Sequence, residues 1–261
     1  MRLSEFKGLE GFIFFYFKNN PKEYLKEFQA GFLYMNNLNF FIEKEKKENK
    51  KGIGDKYEAS QVLTNVEAKF YDYETNEYIG AADAGVTSFK FNEDGLRPIF
   101  CLSMISPEDF IVEDKEKIQD DQYKITAIMD MEEEKKKKLL EEFQGEVLVI
   151  KAKPFLDRLK ESFQEQGYSF KGRKVRYDDY KLNNFERLKS FHDEGVDHLF
   201  WKDKSLSYQS EYRVLITNEF NEGPIKPNIG DLSDISFFMS VEELVNKQWK
   251  VELYATLEQI D

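Results

Sequence analysis

Three uninterrupted apolar runs of strand length constrain this chain more than any other feature. Gly11-Phe-Ile-Phe-Phe-Tyr-Phe17, Ile99-Phe-Cys-Leu-Ser103 and Val147-Leu-Val-Ile150 lack the polar alternation of a half-exposed strand. Each therefore reads as a strand covered on both faces. With 208–217 they are expected to be the central members of one sheet. By contrast, Trp249, Val251, Leu253, Ala255 and Leu257 alternate with Lys250, Glu252, Tyr254, Thr256 and Glu258, the pattern of a half-buried strand.

Helices are marked by their ends. Asn20-Pro21-Lys22-Glu23 combines an N-cap, a proline at the first helical position and a glutamate at the capping-box position. Tyr24, Leu25 and Phe28 then share a face, Gly31 stops the helix, and 32–35 reads as a short strand. Asp130 is placed to cap a helix carrying Glu132/Lys136, Glu133/Lys137 and Glu134/Lys138 at i, i+4, with Gly145 after it. Pro154 opens another with Phe155, Leu156, Leu159 and Phe163 on one side. Ser240-Val-Glu-Glu243 is a capping box. Between these elements, 43–51 holds eight charged residues in nine, followed by Gly52-Ile-Gly54-Asp55. Strands are expected at 66–73 and 86–91, with turns at Glu74-Thr-Asn76 and Glu93-Asp-Gly95. No linker composition brackets 43–97, so it reads as an insertion in one domain spanning 1–261. The expected class is α+β: a mixed central sheet with several flanking helices and an inserted β-rich, charged segment.

Composition narrows the chemistry. The one cysteine, Cys101, cannot form an internal disulfide, and with two histidines it cannot complete a zinc site. No metal is expected. No apolar run reaches membrane-spanning length, and MRLSEFKGLEG lacks the apolar stretch of a signal peptide, so a cytosolic, cytoplasmic protein is expected. A net charge of −12 opposes general binding of phosphate backbones. The charge is uneven. Residues 106–134 carry eleven acidic against three basic groups, whereas 168–190, interleaved with aromatics, has a net charge of +4. The acidic segment suits docking onto a protein partner with a basic surface, such as a nucleic-acid-binding protein, with Glu113, Asp114, Asp120 and Asp121 as contact residues. Its alternative is a solvated loop and helix face. The basic segment could serve single-stranded nucleic acid, which the overall charge disfavours.

The residues best suited to a site are Tyr208-Gln-Ser-Glu211-Tyr-Arg213. As a strand, 208–217 would place Tyr208, Ser210, Tyr212, Val214 and Ile216 on one face and Gln209, Glu211 and Arg213 on the other. A carboxylate beside a guanidinium stays ionised, and an amide can orient a ligand. The same spacing also suits a purely structural Glu211–Arg213 pair. His192 and His198, six residues apart, have no visible third partner. Asp178-Asp179 suits a turn as well as it suits Mg²⁺.

An aromatic strand, a capped helix ending in glycine, a Leu-Tyr-Met strand and a late Tyr-x-x-Glu-aromatic-Arg strand form a layout carried by 12–41, 99–103 and 205–216. It resembles a group of uncharacterised bacterial and phage proteins often found beside abortive-infection and other phage-defence genes. It is also distantly similar to the ADP-ribosyltransferase superfamily, in which a late Gln/Glu-x-Glu supplies the catalytic glutamate. Gln209-Ser-Glu211 matches that motif. The resemblance implies NAD as a possible cofactor and Glu211 and Gln209 as catalytic residues. Arg213, Tyr208, Tyr16 and Lys18 would be ligand-binding. The superfamily's early strand carries an Arg or His that holds NAD, and here only Lys18 can take that place. Ser103 would stand for its polar residue on the central strand. The functions expected are therefore partner binding in phage–host conflict, as defence or anti-defence, or NAD-dependent transfer at Glu211.

Overall fold

The computed structural model describes residues 1–6, 14–18, 22–48, 57–193 and 195–256, with β1 described by its backbone. In chain order the first elements are β1 (Phe14–Lys18), α1 (Lys22–Gln29), β2 (Asn36–Asn37), α2 (Leu38–Glu48), β3 (Gln61–Tyr71), β4 (Tyr78–Phe89) and β5 (Pro98–Ile105). Then come β6 (Phe110–Gln119), β7 (Gln122–Met129), α3 (Glu133–Glu142), β8 (Glu146–Lys151), α4 (Ala152–Glu165), β9 (Phe170–Lys174) and β10 (Arg176–Asp178). The last are α5 (Phe185–His192), β11 (Trp201–Asp203), β12 (Glu211–Ile216), β13 (Ser236–Ser240), α6 (Val241–Asn246) and β14 (Lys250–Thr256). This is an α+β fold.

The largest sheet runs β13-β8-β1-β5-β12-β9, with β2 beside β5. Its four interior strands fall on the four segments expected to be central. Alternation explains why their sequences are apolar throughout. Phe100, Leu102 and Met104 of β5, Leu148 and Ile150 of β8, and Val214 and Ile216 of β12 enter one core. There they meet Leu25 and Phe28 of α1 and Phe155, Leu159 and Phe163 of α4. Phe28 packs on Phe100 with ring centroids 4.9 Å apart. On the opposite face, Ile105, Val147 and Val149 pack against Ile125 and Ala127 of β7, Leu139 of α3, and Val241 and Leu244 of α6. Further along that face, Ile99 and Leu215 meet Leu38, Ala59, Leu199 and Phe200. Burying a side chain of this size stabilises by about 2 kcal/mol, so both faces are driven to be covered.

The sheet departs from expectation in one respect. Every pairing in it is antiparallel rather than mixed, and the parallel pair, β10 with β11, stands outside it. Apolar runs report burial on both faces but carry no information on the direction of the neighbouring strand.

Local readings fared unevenly. Gly31 takes φ +96° after α1, and the Ser240–Glu243 capping box forms in full. Pro154 lies in the first turn of α4. The expected strand 32–35 is reduced to single bridges from Phe32 to Asn228 and Met35 to Ile225. Opposite it, Pro224 and Pro227 have no N–H to give, so a ladder cannot continue. Tyr24 is exposed while Leu25 and Phe28 are buried. Asp130 does not cap α3, whose N-cap is Glu132. It pairs instead with Arg2 at 2.9 Å. Of the three expected i, i+4 pairs, Glu134–Lys138 is the one seen among the described residues, and Lys136 turns to Glu133. The cap at Asn20-Pro21, the start of the first strand (11–13), the Gly52-Ile-Gly54-Asp55 loop and the end of the alternating strand at 257–258 lie outside the described residues.

Two projections leave this core. β3 and β4 form a two-stranded ribbon of their own, joined by the turn at 72–77. Its base is held by Asn183, which both accepts from and donates to the Thr64 backbone at 2.9 Å, and by Arg187, which donates to the Val62 carbonyl. Beyond Glu67 the ribbon is almost wholly exposed. The second projection is the outer half of the β6–β7 hairpin; its inner half, with Phe110, Ile125 and Ala127, belongs to the core, and with β14 the two strands form a three-stranded sheet with β6 at its edge. Among the described residues no helix is long and apolar enough to cross a membrane.

Candidate functional site

β5 and β12 carry the polar residues that interrupt the second face of the sheet. Register sets Glu211 opposite Ser103 and Arg213 opposite Cys101. These four lie between Ile105 and Ile99, in the seam between two apolar clusters. The strand is shorter than expected, which corrects the face assignment. Lys204–Gln209 is a 3-10 turn, begun by Asp203 accepting from Ser205, and Ser210 takes a left-handed φ of +43° before β12 starts at Glu211. Tyr208 and Gln209 therefore precede the strand and do not alternate with Glu211. Gln209 reaches the same cluster through Lys202, whose Nζ lies 3.4 Å from its Oε1.

The result is a buried, charge-balanced network. Arg213 donates from Nε to Glu211 at 2.9 Å, and from Nη1 and Nη2 to the two oxygens of Glu58 at 2.7 and 3.2 Å. Its Nη1 also reaches the Leu199 carbonyl. Lys202 donates to the other oxygen of Glu211 at 2.6 Å and lies 4.0 Å from Glu58. The Glu211 backbone N–H donates to the Tyr177 hydroxyl at 2.9 Å. Arg213 has no exposed surface, and Glu58, Lys202, Gln209 and Glu211 are all buried.

Two carboxylates against two cations make the cluster neutral, and the electrostatics follow. Burial opposes ionisation of Glu211, but Lys202 and Arg213 outweigh it and hold the carboxyl down at about 2. Burial likewise works against the charge of Lys202 and Arg213, yet the two glutamates hold both pKa values up. The Cys101 thiol is pushed up, first by burial and then by the Glu211 charge. Chemically this is a cross-tie. It joins β12 to β11 and to the segment before β3, and both Glu211 oxygens are engaged.

The other proposed ligand residues are dispersed. Tyr16 stands in register with Ser103, which in turn faces Glu211, so the three form one row across β1, β5 and β12. Lys18 pairs with Val147. The side chains of Tyr16 and Lys18 lie outside the described residues. Tyr208 packs in the core containing Phe110 and Leu139, and its hydroxyl donates to Glu142. Burial, then that hydrogen bond, pushes its phenol up. Asp178 is taken by Arg187 at 2.8 Å.

The acidic segment divides into paired and unpaired charges. Asp109 is buried against Lys135 at 2.7 Å, and Asp130, Glu133 and Glu134 have the partners given above. Glu113 lies 3.4 Å from Lys250 on β14. Asp114 accepts from the backbone N–H of Lys115 at 2.9 Å. Asp120 and Asp121 form the two-residue turn between β6 and β7, with Asp120 at φ +41°. All four proposed contact residues are exposed, and no ion pair is seen for Asp114, Asp120 or Asp121 among the described residues.

The sequence reading missed Glu58 and Lys202, and it weighed His198 without finding its partner. Glu58 sits in the charged insertion, with nothing near it to signal a partner 155 positions away. Lys202 lies in Trp201-Lys-Asp-Lys204 and has the look of a surface lysine. His198 places Nε2 2.6 Å from Asp94 Oδ2 across 104 positions. Among the described residues no group of three or more His, Cys, Asp or Glu could hold a metal ion. No protein-family model matches the chain, and neither does any curated protein or solved structure.

Proposed function

We propose that this protein acts by binding a partner protein with a basic surface, through the β6–β7 hairpin. One observation carries the reading: the hairpin tip presents Asp120 and Asp121 exposed and without ion pairs among the described residues, while Asp109 and Asp130 of the same segment are paired with Lys135 and Arg2. An unneutralised acidic tip on a molecule of net charge −12 steers a cationic partner and speeds its association. The resemblance described above would put such an interaction in phage–host conflict. Direct binding of nucleic acid is disfavoured by the same charge.

The test replaces Glu113, Asp114, Asp120 and Asp121 by Lys. Four reversals of two charges each take the net charge from −12 to −4. Wild type and variant are used as baits in the same lysate over a salt series. Proteins retained by the wild type should be lost from the variant, and released as salt rises past the screening range of about 0.1–0.2 M. Identical retention by both baits would remove the hairpin from consideration.

A further inference from the structure

A cleft of about 540 Å³ opens between the chain after β4 and the end of α5, lined by Phe91, Glu93, Asp94, Phe191, Asp193 and His198 among others. Its wall is aromatic. Phe91 and Phe191 stack with centroids 5.1 Å apart, and the His198 ring lies 4.6 Å from Phe191 and 5.9 Å from Phe91. Its charge is acidic. Asp94 is committed to Arg97 and His198 at 3.1 and 2.6 Å. Burial opposes its ionisation, but those two hydrogen bonds prevail and keep it ionised. Among the described residues, Glu93 and Asp193 are exposed without an ion pair, and no lysine or arginine lines the cleft.

His198 supplies an independent observation. Its side chain is 4% exposed. Nε2 is held by the Asp94 carboxylate, and in the tautomer that donates from Nε2 the other ring nitrogen, Nδ1, is an acceptor. Nδ1 is buried with no hydrogen-bond partner among the described residues. A buried polar atom left unpaired is costly, and native structures generally satisfy such atoms.

We propose that this cleft binds a small organic cation, an ammonium or guanidinium group. The charge would lie over the Phe91 ring and between Glu93 and Asp193, with one N–H donated to His198 Nδ1. Aromatic faces attract cations through the ring quadrupole, and the two carboxylates add charge complementarity. A metal ion fits poorly, since among the described residues the donors do not group into a coordination set. The group could come from a free amine or from a lysine or arginine side chain of a peptide. This inference is separate from the hairpin reading and shares no residue with it.

The probes are putrescine, arginine amide, an Ala-Arg-Ala peptide and tetramethylammonium, titrated into the full chain. The readouts are calorimetry and the ¹⁵N shifts of the ring nitrogens of the two histidines, both of which line the cleft, His192 exposed and His198 buried. Phe91 is half-exposed and Glu93 and Asp193 are exposed, so Phe91→Ala and Glu93→Gln/Asp193→Asn should fold. Saturable binding with a shift at His198 Nδ1 is expected. It should be about tenfold weaker in either variant, and weaker for tetramethylammonium, which has no N–H to give. Tighter binding of the peptide than of arginine amide would assign the cation to a polypeptide, and the reverse to a free amine. Absence of saturation by about 10 mM, or affinity unchanged in both variants, would overturn the proposal.

Discussion

Arg213 is the most deeply placed charge described in the molecule, and its guanidinium is divided between Glu58, Glu211 and a backbone carbonyl. Removing one member of such a cluster leaves an uncompensated charge in the interior. Glu211→Gln is therefore expected to lower stability by about 3 kcal/mol or more, read as a shift of the urea midpoint. Acid separates this from a packing effect. The Glu211 pKa is depressed from 4.5 to about 2 in the folded protein, so its contribution is complete above 4.5 and fades as pH falls toward 2. The stability gap between wild type and variant should be flat above pH 5 and narrow below it. The NAD alternative is read from the same pair of proteins. Turnover of NAD by the wild type, abolished in a variant of unchanged midpoint, would make Glu211 catalytic and the cross-tie incidental.

Elements differ in how tightly they are held. The turn after α1 is crowded: a Cβ on Gly31 would lie 2.1 Å from the Gly230 carbonyl oxygen, and its φ of +96° disfavours any side chain. Gly31→Ala should cost about 2 kcal/mol or more in a thermal or urea melt. The β3–β4 ribbon is the opposite case. Ala68 and Ala82 are cross-strand partners, and almost everything beyond them is exposed, including Tyr73. Replacing 69–81 by Asn-Gly, a two-residue hairpin turn, should change stability by no more than about 0.5 kcal/mol. A large loss would mean that the ribbon end packs against something.

On the scale of the whole molecule, one sheet serves two cores. Leu148 and Val149 are neighbours on β8, yet they enter opposite cores. If the layers form one cooperative unit, Leu148→Ala and Val149→Ala should each lower the same single calorimetric transition, the leucine change by about 2–5 kcal/mol. Two separable transitions, each moved by one variant, would instead define two folding units. Coverage on both faces also explains why the functional candidates are peripheral. The sheet interior is filled, and the exposed chemistry lies on the β6–β7 hairpin and in the cleft beside α5.

Local signals settled what depends on a few neighbouring residues. The apolar runs of β5 and β8 marked strands covered on both faces, because alternation needs no knowledge of the partner. Ser240 and Glu243 specified a helix start, and Gly31 a stop, because caps are made within one turn. Partnerships were another matter. Tyr208 and Gln209 read as strand, but the Asp203 cap and the left-handed Ser210 end the turn there, so their position depends on how the chain enters the sheet. Glu58 and Arg213 are 155 positions apart, and Asp94 and His198 are 104 apart. The free energy of each pair depends on burial and distance, and neither is a property of the residues around it in sequence. Strand spacing brought Glu211 and Arg213 together. The tertiary fold supplied Glu58 and Lys202, because only packing can take four charges out of water and set them within reach of one another.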